Sequence, residues 1–125
     1  MIVDTNALSA WRDGDTGLLQ AMGPPALLLL PVIAIGEYQF GLARSSQRSV
    51  AEAWLDQIIR TVRVATITVE TATSYASVRS MLQSKGSPIP ANDAWIAALA
   101  LQHRLPVLSR DAHFDVVDGL TRVAF

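Results

Sequence analysis

The chain of 125 residues contains no cysteine, only two histidines and few aromatic residues (6%). The absence of cysteine excludes disulfides, thiol nucleophiles and metal sites built on thiolates. A chain of this length buries roughly two thirds of its unfolded surface, so its core needs neither disulfides nor structural zinc. Half of the residues are hydrophobic (50%). Length and composition therefore predict a single domain spanning residues 1–125.

The sequence also lacks a charge excess and a long hydrophobic run. Its 10 Lys and Arg face 11 Asp and Glu, so nucleic-acid contact would require a local basic patch or a metal ion. The most apolar run, residues 26–36, contains Pro31 and is much shorter than the roughly 20 residues of a membrane helix. Because Asp4 and Asn6 interrupt the N-terminal start, no signal peptide is expected. We therefore expect a cytoplasmic protein without membrane association.

Short apolar runs with strand character alternate with longer helical patterns, which is typical of βα units and a parallel sheet. Strands are predicted at residues 1–3, 27–30, 62–67, 106–108 and 120–124, and helices at residues 32–44, 49–60, 69–85 and 91–103. The last helix places Trp95, Ile96, Leu99, Ala100 and His103 on one apolar face. The predicted fold class is α/β, with a parallel sheet of about five strands flanked by helices.

Three aspartates occupy positions with functional potential. Asp4 follows the first strand and Asp111 follows the fourth, where open parallel α/β sheets bind ligands. Asp93 lies in the first turn of its helix, where the helix dipole favours an anion. Each also has an ordinary explanation: a helix cap for Asp4, a common first-turn acid for Asp93 and a turn residue for Asp111.

Glu37 is the most informative acid because its helical stripe also contains Ile33 and Phe40. A carboxylate on such an apolar face is costly unless it is paired or bound to a metal. At one edge of the sheet, the carboxylates of Glu37 and the three aspartates would repel one another unless they bind a cation. Oxygen ligands without cysteine and with little histidine favour Mg²⁺ or Mn²⁺ over zinc.

Four segments occur in an informative order: MIVDTN at residues 1–6, EYQFG at 37–41, NDAWIAALA at 92–100 and LSRDAHF at 108–114. Together they resemble the PIN-domain family and, within it, the VapC-type toxin ribonucleases of bacterial toxin–antitoxin systems. Ser109 stands where that family more often has threonine. The resemblance covers essentially the whole chain.

This resemblance implies a PIN-like fold with a five-stranded parallel sheet and a Mg²⁺-dependent endoribonuclease activity on RNA. It also implies a homodimer that is inhibited by a cognate antitoxin protein. By position, Asp4, Glu37, Asp93 and Asp111 are implied to be the catalytic, metal-binding acids. Asp115, one helical turn beyond Asp111, is a rival or helper for the fourth place.

Polar side chains near these acids are candidates for supporting roles. Thr5, Asn6 and Ser109 could hydrogen-bond ligand carboxylates or waters, although such residues are equally typical of caps and turns. His113 is interpreted as a packing or surface residue, because no partner pattern accompanies it.

Four arginines flank the motif segments and are candidates for RNA phosphate contacts: Arg12, Arg44, Arg48 and Arg110. Arg44 lies seven positions after Glu37, so we expect it to point toward the same edge. Alternatively, these arginines are solvated or pair with acids of the antitoxin.

Two other functions fit parts of the pattern. A catalytically silent PIN-like module that binds a protein partner has little reason to keep four mutually repelling carboxylates. An aspartyl-phosphate phosphatase or receiver needs a nucleophilic Asp, and the phosphatase pattern has a second acid where this chain has Asn6. The only lysine, Lys85, ends a helix instead of following a late strand. A metal-dependent nuclease is therefore the expected function.

Overall fold

The chain folds around a five-stranded parallel sheet with the strand order β3-β2-β1-β4-β5. The computed structural model describes all residues from 1 to 125. The strands are β1 (Ile2–Val3), β2 (Leu29–Pro31), β3 (Arg63–Ala65), β4 (Val107–Leu108) and β5 (Arg122–Val123). The predicted α/β class and its five parallel strands are confirmed, with β1 at the centre of the sheet.

Six α-helices connect and cover the strands: α1 (Thr5–Arg12), α2 (Thr16–Met22), α3 (Val32–Leu42), α4 (Arg48–Thr61), α5 (Val69–Lys85) and α6 (Ala91–His103). The bounds of α5 and α6 agree with the prediction. α3 ends before the predicted Arg44, and α4 is one residue longer at each end. α2 was not predicted. None of the helices combines the length and apolar character needed to cross a membrane.

The second strand begins later than predicted. Residues Pro25–Leu27 form a 3₁₀ helix, in which the N–H groups of Leu27 and Leu28 donate to the carbonyls of Pro24 and Pro25, each at 3.0 Å. These N–H groups are therefore not available to the sheet. The other four predicted strands are also shorter in the structure, because only the residues that face a neighbouring strand pair with it.

Apolar side chains fill both faces of the sheet. Successive strand residues point to opposite faces, so Ile2 packs with the α5 and α6 side while Val3 packs with the side of α1 to α4. α6 is buried around most of its circumference, because Ala94 and all residues from 96 to 100 are fully buried. The prediction of one apolar face is wrong in this respect. The small alanine side chains of α6 let the sheet and α5 approach it closely. His103, which the prediction placed on the apolar face, is exposed.

Replacing Leu99 with alanine should lower the free energy of unfolding by about 2–5 kcal/mol, because a fully buried side chain is removed and a cavity remains. Urea denaturation followed by circular dichroism measures the change. The matched control is Leu19→Ala on α2, where the side chain is 47% exposed and a change of about 0.5 kcal/mol or less is expected. Equal losses in both variants would contradict the assignment of α6 to the core.

Candidate metal centre at the carboxyl edge of the sheet

One open cavity of about 280 Å³ brings together the four predicted acids. Asp4 follows β1, Glu37 lies on α3, Asp93 lies in the first turn of α6, and Asp111 lies beyond β4. Thr5, Asn6 and Ser9 complete the lining, which contains no hydrophobic residue. The carboxyl ends of adjacent parallel strands thus place acids from distant parts of the sequence at one site.

The carboxylate of Asp4 is the most buried of the set and is held by three donors. Asp4 itself is 4% exposed. Its Oδ1 accepts from the backbone N–H of Thr5 at 2.7 Å, and its Oδ2 accepts from Ser109 Oγ at 2.6 Å and Asn6 Nδ2 at 2.8 Å. Asp4 is also the N-cap of α1, so the capping role and a place in the acid cavity coexist.

The three predicted supporting residues all contact this cluster. Ser109 is fully buried, and its hydroxyl donates to Asp4 while it accepts from Asn6 Nδ2 at 3.0 Å and from the N–H of Asp111 at 2.9 Å. Thr5 Oγ1 donates to Glu37 Oε1 at 3.0 Å. Serine therefore supplies the hydroxyl at this position, and these bonds fix the carboxylates relative to one another.

Burial and mutual repulsion make ionisation of this cluster costly. Burial, followed by repulsion from Asp93 and Glu37, raises the pKa of Asp4 to about 6, against the opposing hydrogen bonds from Ser109 and Thr5. Burial also raises the pKa of Asp93, and the negative charges of nearby carboxylates add to this effect. A bound cation would remove much of this cost.

His113 is a member of the site that the sequence analysis did not recognise. Its Nδ1 lies 2.9 Å from Asp93 Oδ2 and 3.0 Å from Asp111 Oδ1. The hydrogen bond with Asp93 raises the pKa of His113 above its ordinary value. One ligand atom from each of these three residues lies within 4.8 Å of the others. The sequence did contain a signal for this role, because His113 follows Asp111 by two residues. The Asp111 side chain accepts from the His113 N–H and caps the 3₁₀ helix Ala112–Val116, which holds the two residues together.

Asp115 does not line the cavity. Both of its carboxylate oxygens accept from the guanidinium of Arg122, at 2.7 and 2.8 Å. This ion pair holds the pKa of Asp115 below its usual range. Of the two rivals for the fourth place, only Asp111 therefore lies among the other acids.

None of the four candidate arginines lines the cavity. Three are paired with acids of this chain: Arg12 with Asp13, Arg48 with Glu52 and Arg110 with Asp15. The expected alignment of Arg44 with Glu37 is wrong, because α3 ends at Leu42. The apolar stripe expected around Glu37 is also not a buried face, since Phe40 is 85% exposed.

The donor set fits a hard divalent cation. Four carboxylates meet in a cavity without lysine or arginine, and hydrogen bonds from neutral side chains and a backbone amide orient two of them. Mg²⁺ and Mn²⁺ prefer such oxygen ligands. Asp4, Glu37, Asp93 and Asp111 are the residues that could hold the ion.

The chain belongs to the PIN domain family, whose model matches residues 1–120. Among curated proteins it is similar to Ribonuclease VapC5 of Mycobacterium tuberculosis, with 26% identity over 98% of this chain and 90% of the relative. It is also similar to the solved structure of VapBC-5, a member of the VapBC family of toxin–antitoxin systems from the same organism. That similarity has a TM-score of 0.76 and 26% identity, and it covers 98% of this chain and 97% of the other. DNA-bound VapBC from Salmonella typhimurium shares the fold, with a TM-score of 0.87 at 19% identity over 98% and 96% of the two chains.

Replacing Asp4 with asparagine should change how stability depends on pH in the metal-free protein. The pKa of Asp4 in the folded chain, about 6, lies above its ordinary value of 3.8. Deprotonation therefore destabilises the fold, and this cost develops as the pH rises through the interval between the two values. The free energy of unfolding of Asp4→Asn relative to the wild type should rise by up to about 3 kcal/mol from about pH 4 to about pH 7.

Urea denaturation in EDTA across this pH range measures the difference. Asp15→Asn is the control, because a hydrogen bond from the Leu18 N–H lowers the pKa of Asp15 below its ordinary value of 3.8. The stabilising contribution of its carboxylate is therefore almost complete by about pH 4. The variant should be less stable than the wild type by an amount that changes little from about pH 4 to about pH 7. A difference between Asp4→Asn and the wild type that does not vary with pH would contradict the burial of an ionising carboxyl group.

Proposed function

We propose that this protein is a metal-dependent endoribonuclease, the toxin of a type II toxin–antitoxin system, which hydrolyses RNA phosphodiester bonds. The observation that carries this proposal is the convergence of four carboxylates from separate segments on one cavity. Membership of the PIN domain family and similarity to a protein named as a ribonuclease support it. A role in the cytoplasm, where cellular RNA is accessible, follows from this activity.

Asp4, Glu37, Asp93 and Asp111 are the proposed ligands of Mg²⁺ or Mn²⁺. When bound, such an ion supplies an activated water for in-line attack and neutralises charge on the phosphodiester. The chain's own contribution is the fixed placement of its oxygen ligands. Hydrogen bonds from Ser109 and the Thr5 backbone hold Asp4 before any ion arrives, which limits rearrangement on binding.

Other residues of the chain orient the remaining acids. Thr5 Oγ1 fixes one oxygen of Glu37, and His113 shares a proton at Nδ1 with the carboxylates of Asp93 and Asp111 in the metal-free protein. If Asp93 and Asp111 held a cation, the Nδ1 contact of His113 would compete for the same carboxylate oxygens. No side-chain nucleophile is needed, which agrees with the absence of cysteine.

RNA must approach an acidic cavity, so its phosphates need cationic contacts at the rim. Arg110 is adjacent to Asp111 in the sequence, and its ion pair with Asp15 is exposed to solvent and therefore contributes little to stability. Arg12 and Arg48 are in similar pairs. We assign these three arginines, which would leave their ion pairs, and the exposed Arg44 to contacts with RNA phosphates.

A cognate antitoxin protein and a second copy of this chain are the proposed protein partners. The solved relative VapBC-5 belongs to a toxin–antitoxin system, which supports the first of these.

Replacing Asp93 with asparagine should reduce RNA cleavage by at least about 100-fold, since loss of even an outer partner of a metal site costs 10–100-fold. The fold should remain intact or become more stable, because one of several repelling carboxylates is removed. Cleavage of an unstructured RNA in Mg²⁺ and thermal melting are measured on the same preparation. Asp56→Asn on the exposed surface of α4 is the control and should retain activity.

Two results of this experiment would count against the proposal. Full activity of Asp93→Asn would contradict a ligand role for Asp93. If the wild type is well folded, binds its protein partner and cleaves no RNA in any divalent metal, the protein is the catalytically silent PIN-like module.

RNA cleavage should require Mg²⁺ or Mn²⁺ and should stop in excess EDTA, because the cavity offers hard oxygen ligands. Mg²⁺ should also raise the melting temperature of the wild type by mass action, and much less that of Asp93→Asn. Ca²⁺ is expected to bind and to support less turnover, since its geometry is looser. Cleavage that persists in EDTA would instead indicate a metal-free ribonuclease that uses His113 or His103.

A further inference from the structure

The segment of residues 109–118, between β4 and β5, brings side chains to the acid cavity from a stretch with little regular structure. Only Ala112–Val116 form a helix, and it is of the short 3₁₀ type. Asp111 and the Ser109 hydroxyl lie at the start of this segment, close to Asp4. Because a metal ligand has to keep its position to within about 0.5 Å, the placement of Asp111 depends on what holds the segment.

Arg122, the first residue of β5, contacts this segment with three N–H groups of its guanidinium. Nε and Nη2 donate to the two carboxylate oxygens of Asp115 at 2.7 and 2.8 Å, and Nη1 donates to the backbone carbonyl of Ser109 at 3.2 Å. Its side chain is 18% exposed, less than that of the other ion-paired arginines. A planar guanidinium bound to both oxygens of a carboxylate has a fixed direction. Asp115 therefore aims the remaining contact of Arg122 at Ser109.

The carbonyl that Arg122 contacts belongs to the residue at the centre of the acid cluster. The Ser109 hydroxyl donates to Asp4 at 2.6 Å and accepts from the N–H of Asp111 at 2.9 Å. Asp111 also acts on Arg122 directly: the hydrogen bond to Asp115, and then the negative charges of Asp115 and Asp111, raise the pKa of Arg122. The guanidinium thus influences two of the four acids without lining the cavity.

Lys85 makes the same kind of contact at the far end of the segment. Its Nζ donates to the backbone carbonyl of Val116 at 2.9 Å and to Asp118 Oδ1 at 2.8 Å. Each of the two cations therefore joins one backbone carbonyl to one acid. Neither Val116 nor Asp118 lines the acid cavity. Lys85 is thus an internal comparison, because it holds the same segment without contacting the acid cluster.

Stability alone gives an incomplete explanation of the pair between Arg122 and Asp115. Asp115 is 49% exposed, and ion pairs that reach solvent contribute little to the stability of a fold. Arg122 nevertheless loses the rotational freedom of a long side chain in order to hold Asp115 and Ser109 together. The order that results lies next to the acids, where the orientation of metal ligands depends on their outer contacts.

We propose that Arg122, held by Asp115, is a positioning residue of the metal centre. It fixes the Ser109 peptide and thereby sets Asp4 and Asp111 at the separation that a divalent cation needs. Asp115 supports the centre through Arg122 and is not itself a ligand. This inference rests on the metal-dependent function proposed above and extends it to two residues outside the cavity.

Binding of Mn²⁺ to variants of the two cations tests this proposal without an activity assay. Arg122→Met removes the guanidinium and keeps a long side chain. It should raise the Kd for Mn²⁺ about 10-fold or more, because loss of an outer partner of a metal site costs 10–100-fold in affinity. Lys85→Met removes the matched contact at the far end of the segment and should leave the Kd unchanged. Calorimetric titration measures the Kd at a temperature where melting curves show that each variant is folded.

A double variant separates the action of Asp115 through Arg122 from a direct role of Asp115. Asp115→Asn keeps one acceptor oxygen and loses the ion pair, so it should weaken Mn²⁺ binding less than Arg122→Met does. The double variant should bind Mn²⁺ no more weakly than Arg122→Met, since Asp115 acts only through Arg122. Losses that add in the double variant would show an independent contribution of Asp115 and would overturn the proposed arrangement.

Cleavage of RNA at increasing Mn²⁺ concentration distinguishes positioning from contact with the substrate. In Arg122→Met, the Mn²⁺ concentration that gives half-maximal cleavage should rise with the Kd for the metal. The KM for RNA at saturating Mn²⁺ should stay as in the wild type. A raised KM with unchanged Mn²⁺ affinity would make Arg122 an RNA contact and would overturn the proposal.

The outcomes distinguish this inference from the proposed function. If the wild type binds Mn²⁺ and cleaves RNA while Arg122→Met and Lys85→Met have equal effects on Mn²⁺ affinity, Arg122 is only structural and the ribonuclease proposal stands. If Arg122→Met does not fold, Asp115→Asn is compared with Lys85→Met instead, and unchanged Mn²⁺ affinity in Asp115→Asn contradicts the inference. If the wild type binds no Mn²⁺, the proposed metal-dependent function fails, and this inference fails with it.

Discussion

The structure depends most on a buried carboxylate, Asp4, at the end of the central strand. Its neighbours supply three hydrogen bonds, but burial and repulsion still raise its pKa to about 6. An uncompensated charge in such a place is costly, so the chain needs either a proton or a cation there. The pairing of Val3 with Leu108 sets Asp4 beside Ser109, and the Ser109 hydroxyl in turn accepts from the N–H of Asp111. One strand register therefore organises two of the four acids.

Much of the fold was predictable because long periodic segments carry strong signals. α5 and α6 agree with the prediction because their patterns are long and are bounded by a threonine cap and by prolines. The short helix α2 was missed because seven residues containing Gly17 give little periodicity. The near-complete burial of α6 was also missed, since alanine on any face of a helix is compatible with both burial and exposure. Only the packing of α5 and the sheet against α6 decides this.

The acids of the site were predictable because each lies at a position defined by its own strand or helix. The contacts around them were not, because they join distant parts of the sequence. The pairing of Arg110 with Asp15 spans 95 positions, and that of His113 with Asp93 spans 20. No local pattern encodes such contacts. The exposure of Phe40 on the stripe of Glu37 likewise depends on which face of α3 meets the core.

The central claim is that the acid cavity holds a divalent cation, and a crystal grown or soaked with Mn²⁺ tests it most directly. An anomalous difference map should show a peak inside the cavity, with oxygens of Asp4 and of at least one of Glu37, Asp93 and Asp111 at about 2.0–2.2 Å, as expected for a small hard cation. A map without a peak at saturating Mn²⁺ would contradict the account. So would a peak held by His113 and Asp111 alone, outside the reach of Asp4.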